Sequence, residues 1–156
     1  MVPIKYAPIS ATDRNDRFQL NLEGTEIEFK IENYRPSTKD EYYEEWCLIT
    51  VKVKGNGIDY SAYSECMMCC EIEWLNSELE NMINGVFSED RQITFLEPDF
   101  EFLLFPGKES NYYMDWKFRL WYKGALTCNY FVLSFVYDDI QKLKKYLEKV
   151  IENGKQ

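Results

Sequence analysis

Three cysteines fall within the five residues Cys66-Met67-Met68-Cys69-Cys70, the tightest grouping of chemically active side chains in the chain. Thiolates at i and i+3 can begin a zinc site. A structural zinc takes about four ligands, and neither a second CxxC nor any histidine is present to complete the set. Cys47 and Cys128 would have to converge from separate strands. A group of small buried thiols, where a strand passes into a helix, fits better, because an unbridged cysteine packs as a hydrophobe. A redox CxxC would need a thioredoxin-like βαβ pattern around it, and none surrounds this one. Neither a metal nor a cofactor is expected.

The absence of histidine also removes the commonest general base and proton shuttle. Paired carboxylates could run glycoside hydrolysis without it, and Glu44, Glu45, Glu97, Asp99, Glu101 and Asp115 are available. With 27 acidic residues in the chain, nothing singles out one pair. No motif activates a serine or cysteine nucleophile. The seven glycines are scattered as turn residues, so no phosphate-cradling loop exists. A binding protein is expected rather than an enzyme.

The cluster Asp40-Glu41-Tyr42-Tyr43-Glu44-Glu45-Trp46 mixes carboxylates with aromatics in a predicted loop. Tyrosine and tryptophan give large contact area at low entropy cost and dominate binding hot spots. The competing reading sinks these rings into the core and leaves the acids in water. The net charge of −9 repels nucleic acid and anionic membrane and attracts basic partners, although acidity also simply keeps a domain soluble. The aromatic share of 17% suits both strands and interfaces.

One domain is expected over residues 1–156, with 1–16 as an irregular lead-in holding Pro3 and Pro8. Met1–Ser10 has no apolar run of signal-peptide length, and no stretch approaches a membrane span. The five cysteines are an odd number, which suits a reduced, cytoplasmic protein. Phe18, Leu20 and Leu22, then Ile27, Phe29 and Ile31, alternate with polar residues, giving a hairpin whose charged face meets water. Trp46–Lys54 is a strand with Cys47, Ile49, Val51 and Val53 on one face. Gly55-Asn56-Gly57 turns it into a return strand, Ile58–Cys66. Ile72, Leu75, Leu79, Met82 and Ile83 fall at helical spacing, so a helix is placed at Glu71–Asn84 with Glu73, Glu78 and Glu80 outside. Strands follow at Ile93–Leu96, Phe100–Phe105, Trp116–Tyr122 and Leu126–Val136. The last is apolar on both faces and is expected at the centre of its sheet. Asp138 and Asp139 open a closing helix striped by Ile140, Leu143, Leu147, Val150 and Ile151. No repeat is visible. The fold class is α+β: a mostly antiparallel sheet of seven to eight strands with two amphipathic helices packed on it.

Three segments carry a family resemblance. Glu44–Val53 leads an acidic residue and tryptophan into an alternating strand. The Leu75/Leu79/Met82 helix is followed by Phe95-Leu96-Glu97-Pro98-Asp99-Phe100-Glu101-Phe102. Leu133–Val136 runs into Asp138-Asp139 and a helix ending in Tyr146-Leu147. In this order, over residues 26–152, the chain resembles the WapI-type immunity proteins of bacterial polymorphic and contact-dependent toxin systems. The resemblance implies a non-catalytic protein that binds and neutralises a cognate toxin, often a nuclease, in the bacterial cytoplasm. It supplies no catalytic residues. From the residues themselves, Glu41, Tyr42, Tyr43, Glu44, Glu45 and Trp46, helped by Glu97, Asp99 and Asp115, are expected to meet a basic toxin surface, with no nucleic acid or membrane as partner. A small-molecule module using an aromatic sheet face, or a carboxylate-based hydrolase, are the alternatives.

Overall fold

The computed structural model describes residues 17–36, 45–108 and 111–154. Strands β1 (Phe18–Leu22), β2 (Thr25–Glu32), β3 (Trp46–Gly55) and β4 (Ile58–Met68) form one antiparallel meander in chain order. Strands β5 (Arg91–Thr94), β6 (Phe100–Phe105), β7 (Tyr113–Tyr122) and β8 (Ala125–Val136) form a second. Helix α1 (Cys69–Ile83) follows the first and helix α2 (Tyr137–Gly154) the second. The α+β class holds, and the eight strands divide into two sheets of four. The chain is thus twice the unit ββββα, a likeness of topology that its sequence does not display as a repeat.

Three hairpins close on two-residue turns, Glu23-Gly24, Asn56-Gly57 and Lys123-Gly124, with every φ positive. Both central residues of a type I′ turn require that conformation, which glycine adopts without strain. The alternation read from sequence survives in β3, where Cys47, Ile49, Val51 and Val53 are all buried. On the outer face Glu28 stands opposite Lys52 and forms ion pairs with it and with Arg17.

Strand β8 corrects the sequence reading. Among the described residues it lies at the edge of its sheet, paired with β7 alone. Its inward residues Phe131, Leu133 and Phe135 face the core, as expected. Its outward Tyr130, Val132 and Val136 are about half exposed, at 50%, 49% and 51%. An apolar outer face reports what a strand can cover, not how many neighbours it has. Here Lys117 covers part of it, with Nζ 3.9 Å from the Tyr130 ring centroid.

The inner faces of both sheets and the buried stripes of both helices close on one core. At its centre Trp116 is fully buried against Phe29 of the other sheet, centroids 5.0 Å apart and edge-on. Phe100, Phe102, Phe118 and Phe135 surround it. Tyr146 of α2 reaches β2, its hydroxyl accepting a bond from the Ile31 amide at 3.0 Å. The two helices run antiparallel. Tyr112, which stacks on Tyr137 at the start of α2, donates to the Ile83 carbonyl at the end of α1. The far end of α2 packs Gly154 against the Tyr34 ring, and Tyr34 donates to Glu73 near the start of α1.

Because Trp116 Nε1 has no hydrogen-bond partner among the described residues, its contribution there is apolar packing. Trp116→Ala is expected to cost about 3–5 kcal/mol, and Trp116→Phe, which keeps one ring in the site and leaves a smaller cavity, less. Urea unfolding of both variants measures the difference, and equal losses would contradict a purely apolar role.

Candidate functional site

Four residues of the expected acidic and aromatic loop, Glu41, Tyr42, Tyr43 and Glu44, lie outside the described residues. Glu45 and Trp46 are described, at the entry to β3. The Glu45 carbonyl accepts the Cys69 amide at 2.9 Å, and its carboxylate stands 3.8 Å from the Arg35 guanidinium. Trp46 is half-buried and pairs across the ladder with Met68, the residue that precedes α1.

The start of α1 is held by a buried carboxylate. Glu71 accepts the Met68 amide at one oxygen and the Leu96 amide at the other, each at 2.9 Å. The first bond caps α1. The second ties α1 to the turn between β5 and β6, which carries Glu97. Trp46, Met68, Glu71 and Leu96 are therefore linked in turn, with Glu45 beside the start of α1 and Glu97 the residue after Leu96. Asp139 repeats the capping bond in the second half, accepting the Val136 amide at 3.1 Å.

Two apolar residues that the sequence reading passed over complete this surface. Trp74 is 43% exposed and meets the Phe95 ring edge-on, and Leu96 is 64% exposed. Trp74 falls off the Ile72/Leu75/Leu79 stripe, which is the signal that could have found it. Glu73 and Glu78, expected on a plain outer face, are structural ties: Glu73 to Tyr34, and Glu78 to Arg91 at 2.6 Å.

The remaining expected residues lie elsewhere. Asp99 is buried, its Oδ2 accepting from Trp121 Nε1 at 2.7 Å and Ser64 Oγ at 3.2 Å. It bolts the β5–β6 turn to β4 and β7 and presents no carboxylate to a partner. Asp115 lies on the outer face of the second sheet, bonded to Ser134 Oγ at 2.8 Å. Among the described carboxylates considered for hydrolysis, Asp99 is buried, whereas Glu101 and Asp115 share the outer face of the second sheet. The cavity between the sheets beside Val51, Tyr60, Asp99, Phe118 and Trp121 has a volume of about 10 Å³, too small for a metabolite.

Cys47, Cys66 and Cys69 are buried, while Cys70 and Cys128 are exposed. The buried-thiol reading therefore fits Cys66 and Cys69, and Cys70 turns outward. Cys47 Sγ lies 3.4 Å from Cys69 Sγ, which also accepts the Arg35 amide at 3.4 Å. Burial, and then the bond to Cys69, raises the Cys47 thiol far above its usual range. Burial pushes Cys66 up to about 12. Burial and the bond to Glu73 raise Tyr34 likewise. Among the described residues no group of three or more His, Cys, Asp or Glu could hold a metal ion, and no helix is long and apolar enough to cross a membrane.

Two facing antiparallel meanders with one helix after each make up the described fold. Residues 17–153 match the model of the immunity protein WapI-like family, and the chain belongs to that family. No curated protein and no solved structure matches it.

Two predictions follow from this geometry. Glu71→Ala leaves two backbone amides without their charged acceptor and should cost about 2–4 kcal/mol in denaturant unfolding, with Glu71→Gln intermediate. For the thiols, unfolding returns Cys47 and Cys66 to an ordinary value of 9.0, while the fold keeps them protonated above it. Their contribution is full below pH 9 and is lost as the pH climbs toward about 12. The urea midpoint should therefore fall across that alkaline window, less steeply in Cys66→Ala.

Proposed function

We propose that this chain neutralises a cognate toxin by binding it through the surface at the start of α1. Membership of the immunity family is the observation that carries the reading. On that surface Trp74 and Leu96 form an apolar centre, and Glu45 and Glu97 an acidic rim. Glu41, Tyr42, Tyr43 and Glu44, expected from the sequence to take part, precede Glu45 in the chain. Interfaces gain most of their energy from a few desolvated aromatic anchors, with a polar rim that excludes water. Leaving Trp74 and Leu96 in water alone has no benefit to the fold, and covering them does.

The partner is a basic domain. A net charge of −9 raises the encounter rate with a cationic surface. A nuclease is the natural candidate, because its cleft is cationic to hold phosphates. Inhibition then needs no chemistry from this chain, only occupation of the toxin's surface in the bacterial cytoplasm, with affinity of about nanomolar or better.

The test begins with affinity capture from a lysate of the producing cells at low and moderate salt. A single basic protein, toxic when expressed alone and harmless when co-expressed with this chain, supports the reading. A captured protein whose toxicity persists on co-expression refutes it. With that protein in hand, the double charge reversal Glu45→Lys/Glu97→Lys should slow association about tenfold or more and flatten its salt dependence. Trp74→Ala should leave association nearly unchanged and speed dissociation about thirtyfold, as removal of an anchor of about 2 kcal/mol does. Stopped-flow or biosensor kinetics separates the two, and unchanged rates in both variants would exclude this face.

A further inference from the structure

Cys47 and Cys69 sit beneath the entry to β3, and their relation reaches beyond packing. Antiparallel pairing sets Cys47 opposite Met67 and Trp46 opposite Met68. The Cys69 amide continues the ladder by donating to the Glu45 carbonyl at 2.9 Å. The two thiols consequently meet on a diagonal, Sγ to Sγ at 3.4 Å. A disulfide is about 2.05 Å long, so each sulfur need move only about 0.7 Å. The other thiols are engaged differently. Cys66 is turned toward Ser64 and Asp99, and Cys70 and Cys128 are exposed. Cys69 is moreover the residue that holds Arg35 through its sulfur and Glu45 through its amide, at the two ends of the segment joining β2 to β3.

We propose that Cys47 and Cys69 form a site of oxidative cross-linking, in which hydrogen peroxide converts the thiol pair into a disulfide joining β3 to the first residue of α1. On transient opening, which returns the thiols toward their ordinary acidity, one thiolate attacks a peroxide oxygen, the O–O bond breaks, and a sulfenic acid forms as hydroxide leaves. The second thiol gives up its proton, and its sulfur displaces the hydroxyl of the sulfenic acid as water. The two thiols lose two electrons and two protons, and one peroxide becomes two waters. The bond replaces the Sγ···Sγ contact by a covalent tie between β3 and α1. Because both sulfurs are at most 2% exposed, cross-linking waits on transient opening and is slow, and the finished bond is equally shielded from reductants. The proposal does not depend on the identity of any partner.

The experiment uses the full chain and the variant Cys70→Ser/Cys128→Ser, whose substitutions touch only exposed positions. Each is treated with hydrogen peroxide at pH 8, unfolded, alkylated and mapped by mass spectrometry. In the variant the expected product is lighter by about 2 Da before alkylation. It has one alkylated cysteine, Cys66, and a peptide linking Cys47 to Cys69. Its melting temperature should rise by about 5 °C or more and return on reduction. The same linked peptide is expected from the unaltered chain. Adding Cys47→Ser should abolish the bridge. A link containing Cys66, three alkylatable thiols after treatment, sulfinic acid in place of a bridge, or a bridge that persists without Cys47 would each overturn the proposal.

Discussion

The edge-on contact between Phe29 and Trp116 is the constraint on which the rest of the structure depends. Each ββββα half has an apolar sheet face that cannot be covered by its own single helix. Facing the two sheets solves this for both halves at once, and the large rings from each side fill the space between them. Phe100, Phe102 and Phe118 alternate along β6 and β7 so that their rings meet Trp116, and Phe29 inserts from the opposite sheet. Aromatic pairs prefer such edge and offset geometries, which fixes orientation as well as distance. Phenylalanine dominates that interior, while Tyr63, Trp74, Tyr113, Tyr122 and Tyr130 stay exposed.

Polar bonds then lock the arrangement that packing selects. Glu71 and Asp139 each cap their helix with a carboxylate three residues in, so both halves end their last strand in the same way. Glu71 does more, because its second oxygen crosses to Leu96 in the other half. Asp99 makes a similar crossing to Ser64 from the same turn. The β5–β6 turn is thus pinned at two points to the first half of the chain. Burying a carboxylate is costly unless its oxygens are bonded, and these are. Helix α1 also runs beside β5, the other edge of the second sheet, tied there by the Glu78–Arg91 pair and by Trp74 on Phe95, which protects that edge from stray pairing.

Local features were legible in the sequence. The hairpins, the buried face of β3 and both helix stripes follow from periods of two and of 3.6 residues and from glycine placement, although the turns at Gly24 and Gly124 begin one residue earlier, at Glu23 and Lys123, than Gly24-Thr25 and Gly124-Ala125 suggest. The division into two sheets was not, because it depends on pairings absent between β4 and β5 rather than on any residue pattern. The position of β8 was misread for a related reason: periodicity tells which faces are apolar but not which edge is free. The start of α1 lay two residues earlier than expected, since its cap is Glu71 acting on a methionine amide, and no serine, threonine or aspartate marks the place. At the candidate surface, Glu45, Trp46 and Glu97 were named from composition and adjacency to rings. Asp99 was named on the same grounds, yet its neighbours in space, Ser64 and Trp121, draw it inside. A carboxylate beside a turn proline reads alike in both situations, and only the tertiary partner decides.

The interface proposed at the start of α1 would combine two kinds of interaction with different ranges. Carboxylates at Glu45 and Glu97 act over a Debye length of about 8 Å at physiological salt and so would govern encounter. Trp74 and Leu96 act only on contact, where covering a side chain of their size stabilises a complex by about 1.5–3 kcal/mol. Both kinds are mounted on elements joined through Glu71, one contributed by each half of the molecule. The relative placement of rim and centre is consequently a property of the assembled fold. A partly unfolded chain would keep the charges, and with them a weak attraction to cations, but would lose the geometry that turns attraction into a lasting complex.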